Sequence, residues 1–143
     1  MISVLKVGLT VFITTLMSFS VFASQTTTPE EIAGTTKVTA EDIFDLVDDH
    51  DDLVIIDARK PSDRESGYIA ESIGLPNTDT TPKMLSKYIP TKSTPVVFYC
   101  NGENCGRSVE SSEIAVKEGY TQVYWFRGGW DEWTKKGLPV IKD

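Results

Sequence analysis

The chain has 143 residues, 40% of them hydrophobic and 24% charged, and a formal net charge of −7. That length gives room for one domain with a sizeable core, and the composition excludes a disordered chain. The acidic balance, with no run of Lys or Arg, excludes a nucleic-acid surface and repels anions, so a small anionic substrate would have to be held by local dipoles.

Residues 1–23 carry one Lys, Lys6, no acid, and an apolar stretch through Val11, Phe12, Ile13, Leu16, Met17, Phe19 and Val21 that ends in Phe22-Ala23. This reads as a secretory signal peptide cleaved after Ala23, since the small-residue end and the Thr and Ser content favour removal over an uncleaved membrane anchor. Export would make the protein periplasmic or secreted, with no stable membrane insertion after cleavage. It would also put the two cysteines, Cys100 and Cys105, in an oxidising compartment. Residues 24–36, with a Thr triplet, Pro29 and Gly34, read as a flexible lead-in to a domain over 37–143.

Lys37 to Thr39 form a short first strand. Thr39 then caps a helix with acids in its first turn and Ile43, Phe44, Leu46 and Val47 on its apolar face. That helix runs into the acidic turn Asp48 to Asp52, which holds His50, the only histidine of the chain. A solvated turn is favoured there over a metal site, because consecutive positions do not converge on one ion; no metal and no cofactor are expected. Leu53 to Ile56 read as a buried strand closed by Asp57-Ala58-Arg59. Charged groups at the C-terminal edge of such a strand either face a ligand or pair with each other and with loop backbone, and for Asp57 and Arg59 the pairing is favoured. A short helix over Ser62 to Ser66, a loop into a strand with Ile73 and Leu75 turned inward, and a helix opened by Thr81-Pro82 and ended by Pro90 follow.

Val96 to Ser108 is the stretch around which the rest is arranged. Val96-Val97-Phe98-Tyr99 is a buried strand with Cys100 where it runs out. The turn from Asn101 to Arg107 contains Gly102 and Gly106, and it can curl so that successive backbone N–H groups of Asn101, Gly102, Glu103, Asn104, Cys105 and Gly106 point inward. Ser108 is placed to cap the next helix. A thiol in such a cup, with a helix N-terminus behind it and Arg107 near, loses its proton more readily than a free cysteine, which is the electrostatics of a nucleophilic thiolate. The alternative for Cys100 is a buried strand-end cysteine of no chemical role. Val109 to Glu118 is the helix after the loop, Val123 to Phe126 a strand, Gly128-Gly129 a sharp turn, Trp130 to Lys136 a short helix, and Gly137 to Val140 the closing segment. Trp130 and Trp133 read as core-packing residues. Strands alternating with helices, and apolar without interruption, argue an α/β fold whose parallel sheet is covered on both faces.

Asp57-Ala58-Arg59, Gly67-Tyr68-Ile69 through Ile73 and Leu75-Pro76, Cys100 with Arg107-Ser108, Gly119-Tyr120 with Val123-Tyr124, Gly128-Gly129-Trp130 with Trp133, and Gly137-Leu138-Pro139-Val140, in that order, resemble a single-domain rhodanese. The resemblance implies a rhodanese-like three-layer α/β domain and a sulfurtransferase of the thiosulfate type. In that reaction the cysteine takes a sulfane sulfur from a small anionic donor such as thiosulfate, stores it as a persulfide, and passes it to a thiol, free or on a partner protein, or to cyanide. The nucleophile carries over onto Cys100. Cys100 and Arg107 are then the catalytic candidates, with Asn101, Gly102, Glu103, Asn104, Cys105, Gly106 and Ser108 around the substrate and Asp57 and Arg59 as support. Two departures stand out. Tyr68 replaces the usual histidine of the Gly-His-Ile motif, and the loop from Cys100 to Arg107 has eight positions, against about six in related sulfurtransferases and about seven in fold-related phosphatases. A longer cup admits a larger substrate, is closed by a Cys100–Cys105 disulfide, or lets Cys105 attack the persulfide. Redox or sensing chemistry of the two cysteines, and a non-catalytic interaction domain, are the alternatives. Phosphatase activity is disfavoured, since no general acid is identifiable.

Overall fold

Thr39 shows how local chemistry sets the first elements. Its hydroxyl accepts from the Asp42 amide at 3.3 Å while its own amide donates to Asp42 Oδ2 at 2.7 Å, a capping box that starts the helix where the sequence places it. The computed structural model describes residues 28–143, so the segment read as a signal peptide lies outside the described residues. In chain order the elements are β1 (Thr35–Val38), α1 (Ala40–Asp49), β2 (Val54–Asp57), α2 (Pro61–Arg64), β3 (Ile73–Gly74), a 3-10 turn (Asn77–Asp79), α3 (Pro82–Tyr88), β4 (Val96–Tyr99), α4 (Arg107–Lys117), β5 (Val123–Phe126) and α5 (Gly129–Lys135).

The five strands form one sheet in the order β1-β5-β4-β2-β3, and every pairing is parallel. β4 lies at the centre and is buried along its whole length, because its side chains face two cores in alternation. Val97 and Tyr99 join Ile43 of α1, Phe126 and Trp133 of α5 on one face. Val96 and Phe98 join Leu85 of α3, Ala115 of α4, Tyr120 and Val123 on the other. The three layers are the α/β architecture expected, and the centre of the sheet delivers Cys100 to its C-terminal edge.

Several elements differ from expectation. α4 begins at Arg107, two residues earlier than read, because Gly106 serves as its N-cap without any side-chain bond. A 3-10 turn after Pro76 was not foreseen. Residues 28–36, read as lead-in, pack on the domain: Ile32 is buried, β1 starts at Thr35, and Thr28 bonds to the loop after β4. At the other end, Ile141 bridges to Tyr68 through reciprocal backbone bonds of 3.0 Å, and the Tyr68 hydroxyl donates to Asp143 at 2.6 Å. Among the described residues no helix is long and apolar enough to cross a membrane.

Candidate active site

The strand ends beneath the site are braced by one buried carboxylate. Asp57, at the end of β2, accepts from the Arg59 amide at 3.0 Å, from Arg59 Nε at 2.9 Å and Nη2 at 2.7 Å, from Arg64 Nη1 at 2.8 Å, and from the Tyr99 hydroxyl at 2.8 Å. Arg59 also donates to the Gly67 carbonyl at 2.8 Å and stacks at 4.4 Å on Trp130. Burial, and then the charge of Asp57, push the Tyr99 phenol far above its usual range, so it stays a neutral donor. Burial works against the Arg59 charge, but the bonds to Asp57 outweigh it and raise its pKa. Asp57 and Arg59 therefore pair with each other and with loop backbone, the option the sequence favoured. They hold the strand that carries Cys100, and they do not line the cleft above it.

Cys100 itself is 1% exposed. Its carbonyl accepts from the Trp130 amide at 2.9 Å, and that of Asn101 from the Asp131 amide at 2.7 Å, so the first turn of α5 grips the loop by its oxygens. Gly129 makes this possible: its φ of +53° is left-handed, and a Cβ there would overlap the Cys100 carbonyl. Gly102 is packed as tightly, with the Asp131 carboxylate where a Cβ would be. The Cys105 amide closes a turn onto the Gly102 carbonyl at 3.0 Å. Outside that turn, the Glu103 carbonyl accepts from the amide and hydroxyl of Thr28, and its carboxylate pairs with Arg127 at 3.4 Å. Asn101 Nδ2 donates to Asp63 at 3.1 Å.

The turn brings Cys105 back onto Cys100, and the two are joined in a disulfide with Cα atoms 6.1 Å apart, inside the usual range for such a bond. Arg107, the first residue of α4, donates through Nη1 to Cys105 Sγ at 3.6 Å. Ser108 is not the cap it was read to be. Its hydroxyl is buried and accepts from Trp125 Nε1 at 3.0 Å, a core partner that outcompetes the helix end. The first amides of α4 thus have no side-chain cap, and they remain donors beside the loop.

Above the disulfide is an open cleft of about 670 Å³ lined by Asn77, Asn101, Gly102, Asn104, Cys105, Gly106, Arg107, Glu110 and Asp131. Six of the loop residues singled out in the sequence come together there. Cys100 lies beneath, Glu103 is drawn to the outer wall by Arg127, and Ser108 belongs to the core. Asn77, Glu110 and Asp131 were not foreseen. Asn77 Nδ2 reaches the Glu110 carboxylate at 2.5 Å from the unexpected 3-10 turn. Glu110 stands three residues after Arg107 on the same helix face, and that spacing was the signal available for it. Among the described residues no group of three His, Cys, Asp or Glu side chains is placed to hold a metal ion.

Comparison with known proteins fits this arrangement. The family model for the rhodanese-like domain matches residues 39–136. A rhodanese domain-containing protein of Drosophila melanogaster is 34% identical over 102 residues, which cover 63% of this chain and 89% of that one. A sulfurtransferase of Allochromatium vinosum is 30% identical over 105 residues, 73% of this chain and 94% of its own. The polysulfide-sulfur transferase homodimer of Wolinella succinogenes superposes with a TM-score of 0.64 at 22% identity, over 78% of this chain and 81% of that one. With Cys100 at the end of the central strand, in a loop gripped by the first turn of α5, the chain belongs to the rhodanese-like sulfurtransferase family.

Proposed function

We propose that this protein takes a sulfane sulfur from a donor of the thiosulfate type onto Cys100 as a persulfide and passes it to a thiol or to cyanide. The observation that carries the reading is the placement of Cys100: central strand end, carbonyls of Cys100 and Asn101 tied back by α5, and the uncapped N-terminus of α4 beside it. Those backbone dipoles favour a thiolate and the anion it attacks, in a protein whose overall charge would repel that anion. Arg107 adds the one cationic side chain of the cleft lining. The test is thiosulfate-to-cyanide transfer by the reduced protein against Cys100→Ser. The variant is expected to lose transfer while keeping its melting temperature; full activity in Cys100→Ser would remove Cys100 from the reaction.

The reading includes export. Its support is the uncharged, apolar character of residues 7–23 and the Ala23 end. Expression of the whole chain in a bacterium, followed by N-terminal sequencing of the periplasmic or secreted product, is expected to show Ser24 first; an intact Met1 on membrane-bound protein would refute it.

A further inference from the structure

The loop that carries Cys100 does more than cradle an anion, because it presents a second sulfur at bonding distance from the first. The two differ in their surroundings. Cys100 is 1% exposed under the loop, whereas Cys105 is half-buried and lines the open cleft. Arg107 Nη1 lies 3.6 Å from Cys105 Sγ, where a cation favours the thiolate of that residue. The Gly102–Cys105 turn holds Cys105 over Cys100. These are the needs of a resolving thiol: within reach, beside a cation, and open to an outside reductant.

We propose that Cys105 resolves the Cys100 persulfide, so that the protein is a sulfane-sulfur reductase which releases hydrosulfide and is reset by a dithiol. The proposal rests on the transferase reading for its first step. There the Cys100 thiolate attacks the outer sulfur of thiosulfate, the S–S bond of the donor breaks, and sulfite leaves with its electron pair. The persulfide takes up one proton. The Cys105 thiolate then attacks Cys100 Sγ; the Sγ–Sγ bond forms, the bond to the outer sulfur breaks, and that sulfur departs as HS⁻. The sulfane sulfur has gained two electrons and the two cysteines have lost them, leaving the disulfide found in the structure. A dithiol attacks the accessible sulfur, that of Cys105, and expels Cys100 as a thiolate into the dipoles that favour it. The second thiol of the reductant then frees Cys105 and closes the reductant's own disulfide. An external monothiol acceptor is unnecessary for sulfide release in this cycle.

The test uses the reduced chain, freed of reductant under anaerobic conditions, with one equivalent of thiosulfate. Sulfite, sulfide and intact mass are measured for wild type and for Cys105→Ser. Wild type is expected to give sulfite and sulfide in equal amounts and to end two hydrogens lighter than it began. Cys105→Ser is expected to give sulfite, gain the mass of one sulfur, and release sulfide only after a thiol is added. Wild type that keeps the added sulfur, with Cys105 still open to alkylation and no sulfide released, overturns the proposal while leaving sulfur transfer intact. No sulfur gained by either protein, from thiosulfate or from glutathione persulfide, overturns the transferase reading and the proposal with it. The wild-type measurement decides even if Cys105→Ser fails to fold.

Discussion

Asp57 gives the sharpest test of how the site is held. Asp57→Asn keeps the shape of the side chain and removes its charge, leaving the Arg59 guanidinium, whose side chain is fully buried, and Arg64, 19% exposed, without their anion. Breaking a buried pair by removing one partner costs about 3–5 kcal/mol, because the other charge stays desolvated. Against a domain stability of about 5–15 kcal/mol that is a large share. Each kcal/mol moves the melting temperature by roughly 2–8 °C in domains of this size class, so a fall of at least about 6 °C is expected. Urea unfolding near neutral pH is the assay, and the midpoint should fall with an unchanged slope. Adding Arg59→Gln to Asp57→Asn should recover part of the loss, since the stranded cation is then gone. A shift below about 1 kcal/mol in Asp57→Asn would refute the claim that this charge holds the two arginines.

Gly129→Ala combines left-handed strain of about 1–2 kcal/mol with overlap on the Cys100 carbonyl; lower melting temperature and impaired sulfur uptake are expected, and normal values for both would count against the loop anchor. Arg107→Lys keeps a charge without the planar fork, so thiol alkylation by the reduced protein should shift to higher pH and donor use should weaken; superimposable profiles would put Arg107 outside the chemistry. The bonds from the Thr39 amide, and then from its hydroxyl, hold the Asp42 carboxyl below the usual carboxylate range. Because the folded value is the lower one, the stability it adds is complete above the unfolded value of about 3.9 and is lost as pH falls through the folded value. Asp42→Asn should therefore unfold at lower urea than wild type at about pH 7, and the two curves should converge in strong acid. A difference that persists there would show that shape, and not charge, sets the cap.

What was legible in the sequence was what local chemistry decides. Thr39 and Asp42 lie three residues apart, and the buried run Val96 to Tyr99 admits few readings besides a central strand, so the helix start, the fold class and the place of Cys100 could be read directly. What was not legible depends on partners distant in the chain. Ser108 at a loop–helix junction has the form of a cap, and only the position of Trp125 on β5 shows why it turns to the core. Gly129 and Gly102 were visible as turn residues, but their contacts with Cys100 and Asp131 exist only once α5 docks on the loop. Asn77 and Glu110 belong to the cleft through a bond that spans two separate elements. The option that Cys105 closes on Cys100 was readable from spacing, yet spacing left it beside two others.

The two ends of the described chain have a practical consequence for anyone cutting it. The segment shared with relatives covers 39–136, whereas the bonds that close the outer wall of the cysteine loop start at Thr28, the edge strand β1 starts at Thr35, and the bridge to Tyr68 comes from Ile141. A fragment trimmed to the shared segment would expose the flank of β5 as a raw sheet edge, a template for association with other chains. It would also free Glu103 from its backbone tether while keeping both cysteines. Grafted into another protein, such a fragment would carry the two cysteines on a loop of altered shape, so the transplantable unit is the longer one, from Thr28 to Asp143.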